Sequence, residues 1–217
     1  MKIAVFGTGM VGDTIGSKLI ELGHPVMMGS RTADNEKAKA FVAKHNGKAS
    51  VGTFADAAAF GEIIFNCTAG VGSIDALKMA VEKDLNGKII VDIANPLDFS
   101  KGMPPSLAIV NTNSLGEEIQ KTFPQTKVVK TLNTMWCGLM VNPLMINGGD
   151  HNVFVSGNDA SAKEEVKEIL KSFGWNDKNI LDLGDITKAR GTEMYLPIWL
   201  SIYGATNNGA FNIKIVS

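Results

Sequence analysis

Short apolar runs alternate with amphipathic segments along the first half of the chain. Strands that helices bury on both faces of a parallel sheet are expected to be continuously apolar. Six runs are predicted strands, and three of them are continuously apolar. They are IAVFG (3–7), PVMMGS (25–30), the weaker KASVG (48–52), EIIFNCT (62–68), KIIVDIAN (88–95) and KVVKTLN (127–133).

The intervening segments have helical periodicity. Val11, Ile15 and Leu19 recur at a spacing of four residues, and Gly23 is placed to end that helix. Strands that alternate with helices in this way are typical of βαβ units. The pattern predicts an α/β fold with a Rossmann-type, doubly wound and mainly parallel sheet.

The pattern restarts after an irregular stretch that ends near residues 147–149. VFVSG, a charged helix, NILDLG, a helix over about 186–203 and a closing strand FNIKIV are expected there. We therefore predict an NADP-binding Rossmann domain over 1–147 and a small α+β domain for substrate binding or dimerisation over 148–217. An apolar terminal strand needs a partner, within the chain or in a second copy, so a homodimer is one expected assembly.

Composition removes several function classes. The net charge of −1 and the lack of basic runs argue against nucleic acid and anionic membranes as partners. No apolar run approaches the ~18 residues of a membrane span, and no targeting signal is apparent, so a cytoplasmic location is expected. Cys67 and Cys137 are predicted to be buried, reduced thiols. His24, His45 and His151 lack metal-ligand spacing and are expected at the surface, with no metal site.

A glycine-rich turn follows the first predicted strand and opens the first helix. Its GxGxxG pattern permits a tight turn, close approach of a pyrophosphate and close helix–strand packing. The phosphates would lie at the amino terminus of the helix, where free N–H groups favour anions. The predicted dinucleotide-binding residues are Gly7, Thr8, Gly9, Met10, Val11 and Gly12.

The end of the second predicted strand indicates which dinucleotide is bound. NAD-preferring sites have Asp or Glu there, whereas this chain has Ser30, Arg31 and Thr32. A guanidinium offers forked donors to a 2′-phosphate and can stack on adenine. NADP(H) is therefore the predicted cofactor, with a solvated Arg31 as the alternative.

The nicotinamide is expected over the carboxyl ends of the later strands. The candidates there are Cys67, Thr68 and Ala69 after the fourth strand and Asn95 and Pro96 after the fifth. Asn95 is equally suited to bonding the cofactor and to capping the turn before Pro96.

Two apolar residues follow the sixth strand. Met135 and Trp136 are either a wall for a second flat ring, and thus substrate-binding residues, or core residues that cover the sheet. No nucleophile elbow, zinc motif or phosphate loop occurs in the sequence, so no catalytic residue is assigned. The chemistry is expected to come from the cofactor, which the protein positions against a small-molecule redox acceptor.

The chain resembles the coenzyme F-420-dependent NADP oxidoreductases, whose fold also occurs in the reductase domains of STEAP ferrireductases. The matching segments are MKIAVFGTGMVGDTIG, GSR (29–31), IANPLD (from 93), VVKTLNTM (from 128), VFVSGNDASAKEEVKEIL and LDLGDITKARGTE (from 181). The resemblance implies NADP(H) along the glycine turn, with its 2′-phosphate on Ser30 and Arg31. It also implies a deazaflavin (coenzyme F-420) or flavin stacked on the nicotinamide for direct hydride transfer.

Two other functions remain open on the sequence. A β-hydroxyacid dehydrogenase or imine reductase would begin with a similar Rossmann half, but such enzymes have a longer helical second domain. A non-catalytic NADP(H) sensor would carry the same cofactor motifs. Turnover with an acceptor distinguishes the sensor from an enzyme.

Overall fold

The computed structural model describes residues 1–45 and 47–216. Apart from a two-stranded hairpin, the strands form one sheet of eight. The strands are β1 (Ile3–Phe6), β2 (Val26–Ser30), β3 (Ala49–Thr53), β4 (Ile63–Asn66), β5 (Ile89–Asp92), β6 (Leu97–Asp98), β7 (Ser106–Leu107), β8 (Lys127–Thr131), β9 (Val153–Gly157) and β10 (Ile180–Gly184).

Helices pack on both faces of this sheet. Many begin at a polar capping residue, as α2 does at Asn35, whose side chain accepts from the Ala38 N–H. The helices are α1 (Met10–Glu21), α2 (Glu36–Lys44), α3 (Phe54–Phe60), α4 (Ser73–Lys78), α5 (Leu115–Thr122), α6 (Cys137–Val141), α7 (Ala160–Ser172), α8 (Ala189–Met194) and α9 (Leu196–Thr206).

The strand order is β10-β9-β8-β5-β4-β1-β2-β3. Strand β9 is antiparallel to β8, and the other neighbouring pairs are parallel. The order reverses direction at β1, where a ligand is expected beyond the carboxyl ends of the strands. The predicted Rossmann-type α/β fold is confirmed, and β9 and β10 from the second half extend the same sheet.

The apolar runs become strands because both of their faces are covered. Each residue of β1, β4 and β5 is buried. One core layer packs α1, α2 and α7 against the sheet, and the other packs α3, α4 and α5. Burying such side chains contributes about 25 cal/mol per Å² of apolar surface, which is the main force that holds the layers together.

Two predictions about the second half are wrong. FNIKIV forms no strand: Asn152 donates its N–H to the Ile213 carbonyl and accepts the Ile215 N–H with its side chain. An asparagine side chain thus takes the place of a neighbouring strand. His151 is buried, not at the surface, and its ring nitrogens contact the Pro143 carbonyl and the Asn212 amide. His24 and His45 are partly exposed.

Candidate NADP(H) and acceptor site

Two cavities meet at the carboxyl edge of the sheet, above β1 and β4. The first, of about 320 Å³, lies over the glycine turn and the end of β2. The second, of about 440 Å³, lies over the ends of β5 and β8. They share a loop, Cys67, Thr68 and Ala69, which follows β4 and forms part of the lining of each cavity.

The glycine turn fits a dinucleotide. Gly7 has a φ of +108°, and a Cβ atom on it would lie 2.5 Å from the Cys67 carbonyl oxygen. A Cβ on Gly12 would lie 2.0 Å from the Gly7 oxygen, so that glycine serves helix–turn packing. In contrast, nothing lies within 4 Å of a Cβ built on Gly9, which faces open space. Gly9 also precedes α1, whose first turn has no capping side chain, so its N–H groups are available to a phosphate.

The end of β2 supplies one exposed cation. Arg31 lines the first cavity, and it is the only basic residue among the described residues that do so. The hydroxyl of buried Ser30 donates to the Thr32 carbonyl at 2.5 Å, which folds this loop back on itself. Thr32 is exposed and does not line the first cavity as described. Arg31 is therefore the residue of this loop best placed to receive a 2′-phosphate.

The shared loop is held from below by buried hydrogen bonds. The Thr68 hydroxyl donates to the side-chain oxygen Oδ1 of Asn66 at 2.7 Å and lies 2.7 Å from the Ser73 hydroxyl. The Asn66 amide donates in turn to Asp92 Oδ1 at 2.9 Å. Burial, together with the Asp92 carboxylate, raises the pKa of the Cys67 thiol well above its ordinary value. Cys67 is thus a neutral thiol and is unsuited to be a nucleophile.

Asn95 is paired with a residue of the neighbouring loop. Its amide donates to the Asn133 carbonyl at 2.9 Å, and the Asn133 amide donates to Asn95 Oδ1 at 2.9 Å. Both asparagines line the second cavity, whereas buried Pro96 does not. A Cβ on Gly70 would meet the Asn95 carbonyl at 2.0 Å, so the loops after β4 and β5 touch.

The second cavity is mainly apolar. The predicted residues Met135 and Trp136 line it, together with Met10 and Val11 from the start of α1. Met135 also belongs to the core, so it covers the sheet as well as lining this cavity. The described lining contains no Asp, Glu, His, Lys or Arg. This surface is suited to a flat apolar ring and offers no charged acid or base to it.

Several lining residues were not identified from the sequence. The nucleotide cavity also includes Asn35, Phe54, Asp75 and Met79. The apolar cavity includes Leu196, Trp199 and Leu200 of α9. The sequence LPIWLSIYGAT has no charged residue, and this could have indicated that the helix lines a cavity. A helix that is apolar all round needs a partner or a ligand on its surface.

Residues after α9 pack against the tryptophans that line the apolar cavity. Trp199 stacks on Tyr203 at 5.5 Å and on Phe211 at 5.3 Å between ring centroids. A Cβ on Gly209 would lie 3.6 Å from both Trp136 and Trp199, in ordinary contact. The segment after α9 therefore supports both tryptophans, although it is not the predicted strand.

Comparison with known proteins identifies the family of the chain. The model of the family described as NADP oxidoreductase, coenzyme F-420-dependent, matches residues 2–96. A crystal structure described as a candidate F-420-dependent NADP-reductase from Arthrobacter sp. FB24 is 53% identical, with a TM-score of 0.94 and 100% coverage of both chains. The chain belongs to the coenzyme F-420-dependent NADP oxidoreductase family. The resemblance drawn from the sequence is thereby confirmed, and the protein is a member of an NADP-dependent oxidoreductase family.

Two more distant relatives match most of this chain. Metalloreductase STEAP3 of Rattus norvegicus is 27% identical over 215 residues, which cover 91% of this chain. The match spans only 38% of that relative's length. An imine reductase from Aspergillus terreus is 18% identical with a TM-score of 0.66, and the match covers 95% of this chain and 62% of that one. The latter likeness concerns the fold alone. Within the described residues, no helix is both long and apolar enough to cross a membrane.

Proposed function

We propose that this protein transfers a hydride between NADP(H) in the first cavity and a flat ring, a deazaflavin or flavin, in the second. The observation that carries the proposal is the loop of Cys67, Thr68 and Ala69, which lines both cavities. A nicotinamide on this loop would have its adenosine end toward Arg31 and one ring face toward the apolar cavity. Two stacked rings would then meet where the cavities join.

The reaction needs no charged side chain from the protein. A hydride carries two electrons and one proton from the reduced nicotinamide to the acceptor ring, and any second proton comes from solvent. The protein holds the rings together, orients them and excludes water. The apolar lining supports this role, since it offers no charged group to the acceptor.

Deazaflavin or flavin is favoured by the shape and chemistry of the second cavity. Trp136 and Trp199 provide flat aromatic surfaces beside it, and offset stacking of aromatic rings is favourable by about 0.5–1.5 kcal/mol beyond burial. The names of the family and of its Arthrobacter member point to coenzyme F-420. A flavin has the same tricyclic shape and is the control acceptor.

The test is a direct assay. The protein is mixed with NADPH and either coenzyme F-420 or FMN without oxygen, and the NADPH absorbance is followed at about 340 nm. We expect oxidation of NADPH with one acceptor equivalent reduced for each NADPH. Tight NADPH binding without turnover on either acceptor would instead support the sensor hypothesis and refute the proposal.

Two matched variants test the roles of the two cavities separately. Of these two cavities, Trp199 lines the apolar one and not the nucleotide one, and Met79 lines the nucleotide one and not the apolar one. Trp199→Ala is expected to raise the acceptor KM and leave the NADPH Kd unchanged. Met79→Ala is expected to do the reverse. An acceptor KM that responds equally to both variants would contradict the placement of the acceptor.

A further inference from the structure

Three charged side chains are buried together beneath the two cavities. Lys130 Nζ lies 2.9 Å from Asp92 Oδ2 and 2.8 Å from Glu193 Oε1. The side chains of Lys130 and Asp92 are 0% exposed, and that of Glu193 is 1% exposed. We call Asp92, Lys130 and Glu193 the buried triad. None of them belongs to the predicted site.

Each member of the triad has further hydrogen bonds. Lys130 also donates to the Ala94 carbonyl. The Leu115 and Gly116 N–H groups, at the start of α5, donate to the Glu193 carboxylate at 2.8 and 3.1 Å. These hydrogen bonds offset part of the free-energy cost of burying one lysine and two carboxyl groups. Desolvation opposes the charged form of Lys130, but the Asp92 and Glu193 carboxylates outweigh it and raise its pKa. Lys130 is therefore held in its charged form.

One side of the triad leads to the loop that the cavities share. Asp92 Oδ1 accepts from the Asn66 amide, and Asn66 accepts from the Thr68 hydroxyl. The Ala94 N–H also donates to Asp92 Oδ1, at 3.2 Å. The triad is thus connected through Asn66 to the shared loop, in addition to the backbone pairing of β4 with β5.

The other side leads to the wall of the apolar cavity. Glu193 belongs to α8, which ends at Met194, and α9 begins at Leu196. Leu196 and Trp199 line the apolar cavity. A single buried carboxylate therefore ties this wall to β8 and to the start of α5.

We propose that the buried triad positions the two cavity walls for hydride transfer, so that Lys130 sets the separation of the stacked rings. This inference rests on the proposed function. Buried ion pairs are weak as stabilisers, because apolar residues of the same volume often do as well. Their hydrogen bonds do impose defined lengths and directions between groups from different elements. Rates of transfer between bound groups are sensitive to such placement, and a 1 Å error can cost about a hundredfold.

Two variants test the role of the triad. Glu193→Gln keeps an oxygen for Lys130 and the Gly116 N–H but turns an NH₂ group toward the Leu115 N–H, which is itself a donor. Asp92→Asn with Lys130→Met removes one charge of each sign, whereas Lys130→Met alone would leave two carboxylates without a cation. Both variants are expected to bind 2′,5′-ADP, a probe of the adenosine end, within about twofold of the parent. Their hydride transfer at saturating NADPH and acceptor should fall about tenfold or more.

A control ion pair separates positioning from stability. Lys163 pairs with Asp182 at 2.9 Å, on α7 and β10 at the far edge of the sheet. Lys163→Met is expected to lower the Tm and leave saturated hydride transfer unchanged. If the triad variants also lower only the Tm and keep the transfer rate within about twofold, the positioning role is refuted.

A second readout needs no turnover. If the parent transfers hydride to no acceptor, the proposed function fails, and the triad is tested by comparing NADPH with 2′,5′-ADP. The triad variants should weaken NADPH binding, which includes the nicotinamide end, and leave 2′,5′-ADP binding unchanged. Equal changes in the two affinities would refute the positioning role independently of the reaction.

Discussion

The carbonyl oxygen of Cys67 lies so close to Gly7 that a Cβ atom on that glycine would be 2.5 Å away from it. This contact joins the end of β1 to the loop after β4, and it brings the glycine turn against the loop that both cavities share. Gly7 therefore has two reasons to be glycine, its positive φ and this approach. Gly9, two residues along, has neither.

Replacing these two glycines by alanine should have different effects. Gly7→Ala is expected to destabilise the protein by about 1–3 kcal/mol, because it strains the backbone and displaces the Cys67 loop. Gly9→Ala should leave the Tm nearly unchanged and weaken NADPH binding, since its methyl group enters the space for the pyrophosphate. Thermal unfolding and an NADPH titration measure both effects. A Gly9→Ala variant that binds NADPH normally would contradict the position assigned to the pyrophosphate.

Arg31→Glu should change the cofactor preference. A carboxylate at the end of β2 would repel the 2′-phosphate and be able to accept from ribose hydroxyls. We expect NADPH affinity to fall at least tenfold more than NADH affinity, which corresponds to about 1.4 kcal/mol. Titrations with both cofactors measure this difference.

The control for Arg31 is Lys83→Glu. Lys83 is exposed and precedes β5, so it lies toward the edge of the sheet opposite the cavities. The Lys83→Glu substitution should change neither the NADPH affinity nor the NADH affinity. Equal losses of NADPH and NADH in Arg31→Glu would show that the guanidinium does not bind the 2′-phosphate.

The pair of Asn95 and Asn133 should contribute to stability. Asn95→Ala leaves the Asn133 carbonyl and amide without their partner, at a cost of about 1–3 kcal/mol for buried groups. Asn95→Asp keeps the acceptor but places a carboxylate oxygen against the Asn133 carbonyl, so a loss at least as large is expected. Urea unfolding gives both values. A change below about 0.5 kcal/mol in the alanine variant would mean that the pair is dispensable for stability.

The Cys67 thiol should make stability depend on alkaline pH. Its pKa is raised in the folded state from an ordinary value of 9.0. The folded state therefore favours the protonated thiol, and this contribution is intact below pH 9.0 and is lost as the pH rises further. The free energy of unfolding of the parent should fall faster above pH 9.0 than that of Cys67→Ala. Parallel curves for the two proteins would contradict the raised pKa of the thiol.

Much of the fold was predictable because its strands are buried on both faces. IAVFG, EIIFNCT and KIIVDIAN are nearly continuous apolar runs. In an α/β protein, such short runs are typical of strands in the middle of a parallel sheet. FNIKIV misled because its alternation is typical of an edge strand. The competing hydrogen bonds come from Asn152, about 60 residues earlier, and no local pattern reveals them.

More of the nucleotide cavity than of the apolar cavity could be predicted from the sequence. Glycine geometry and the residue type after β2 have direct chemical meaning for a dinucleotide, so Gly9 and Arg31 were identified from the sequence. The wall formed by Trp199 depends on how α9 packs, which periodicity does not give. Lys130 is one of three polar residues in β8, and its two carboxylate partners lie 38 and 63 residues away in the sequence.

The sheet runs without interruption from β3 at one edge to β10 at the other. The strands beneath the binding cleft form one continuous floor, because β8 is hydrogen-bonded to β5 on one side and to β9 on the other. We therefore expect little closure of the protein around its ligands. Water would leave the reacting atoms only when the second ring arrives, so the acceptor itself would act as the lid.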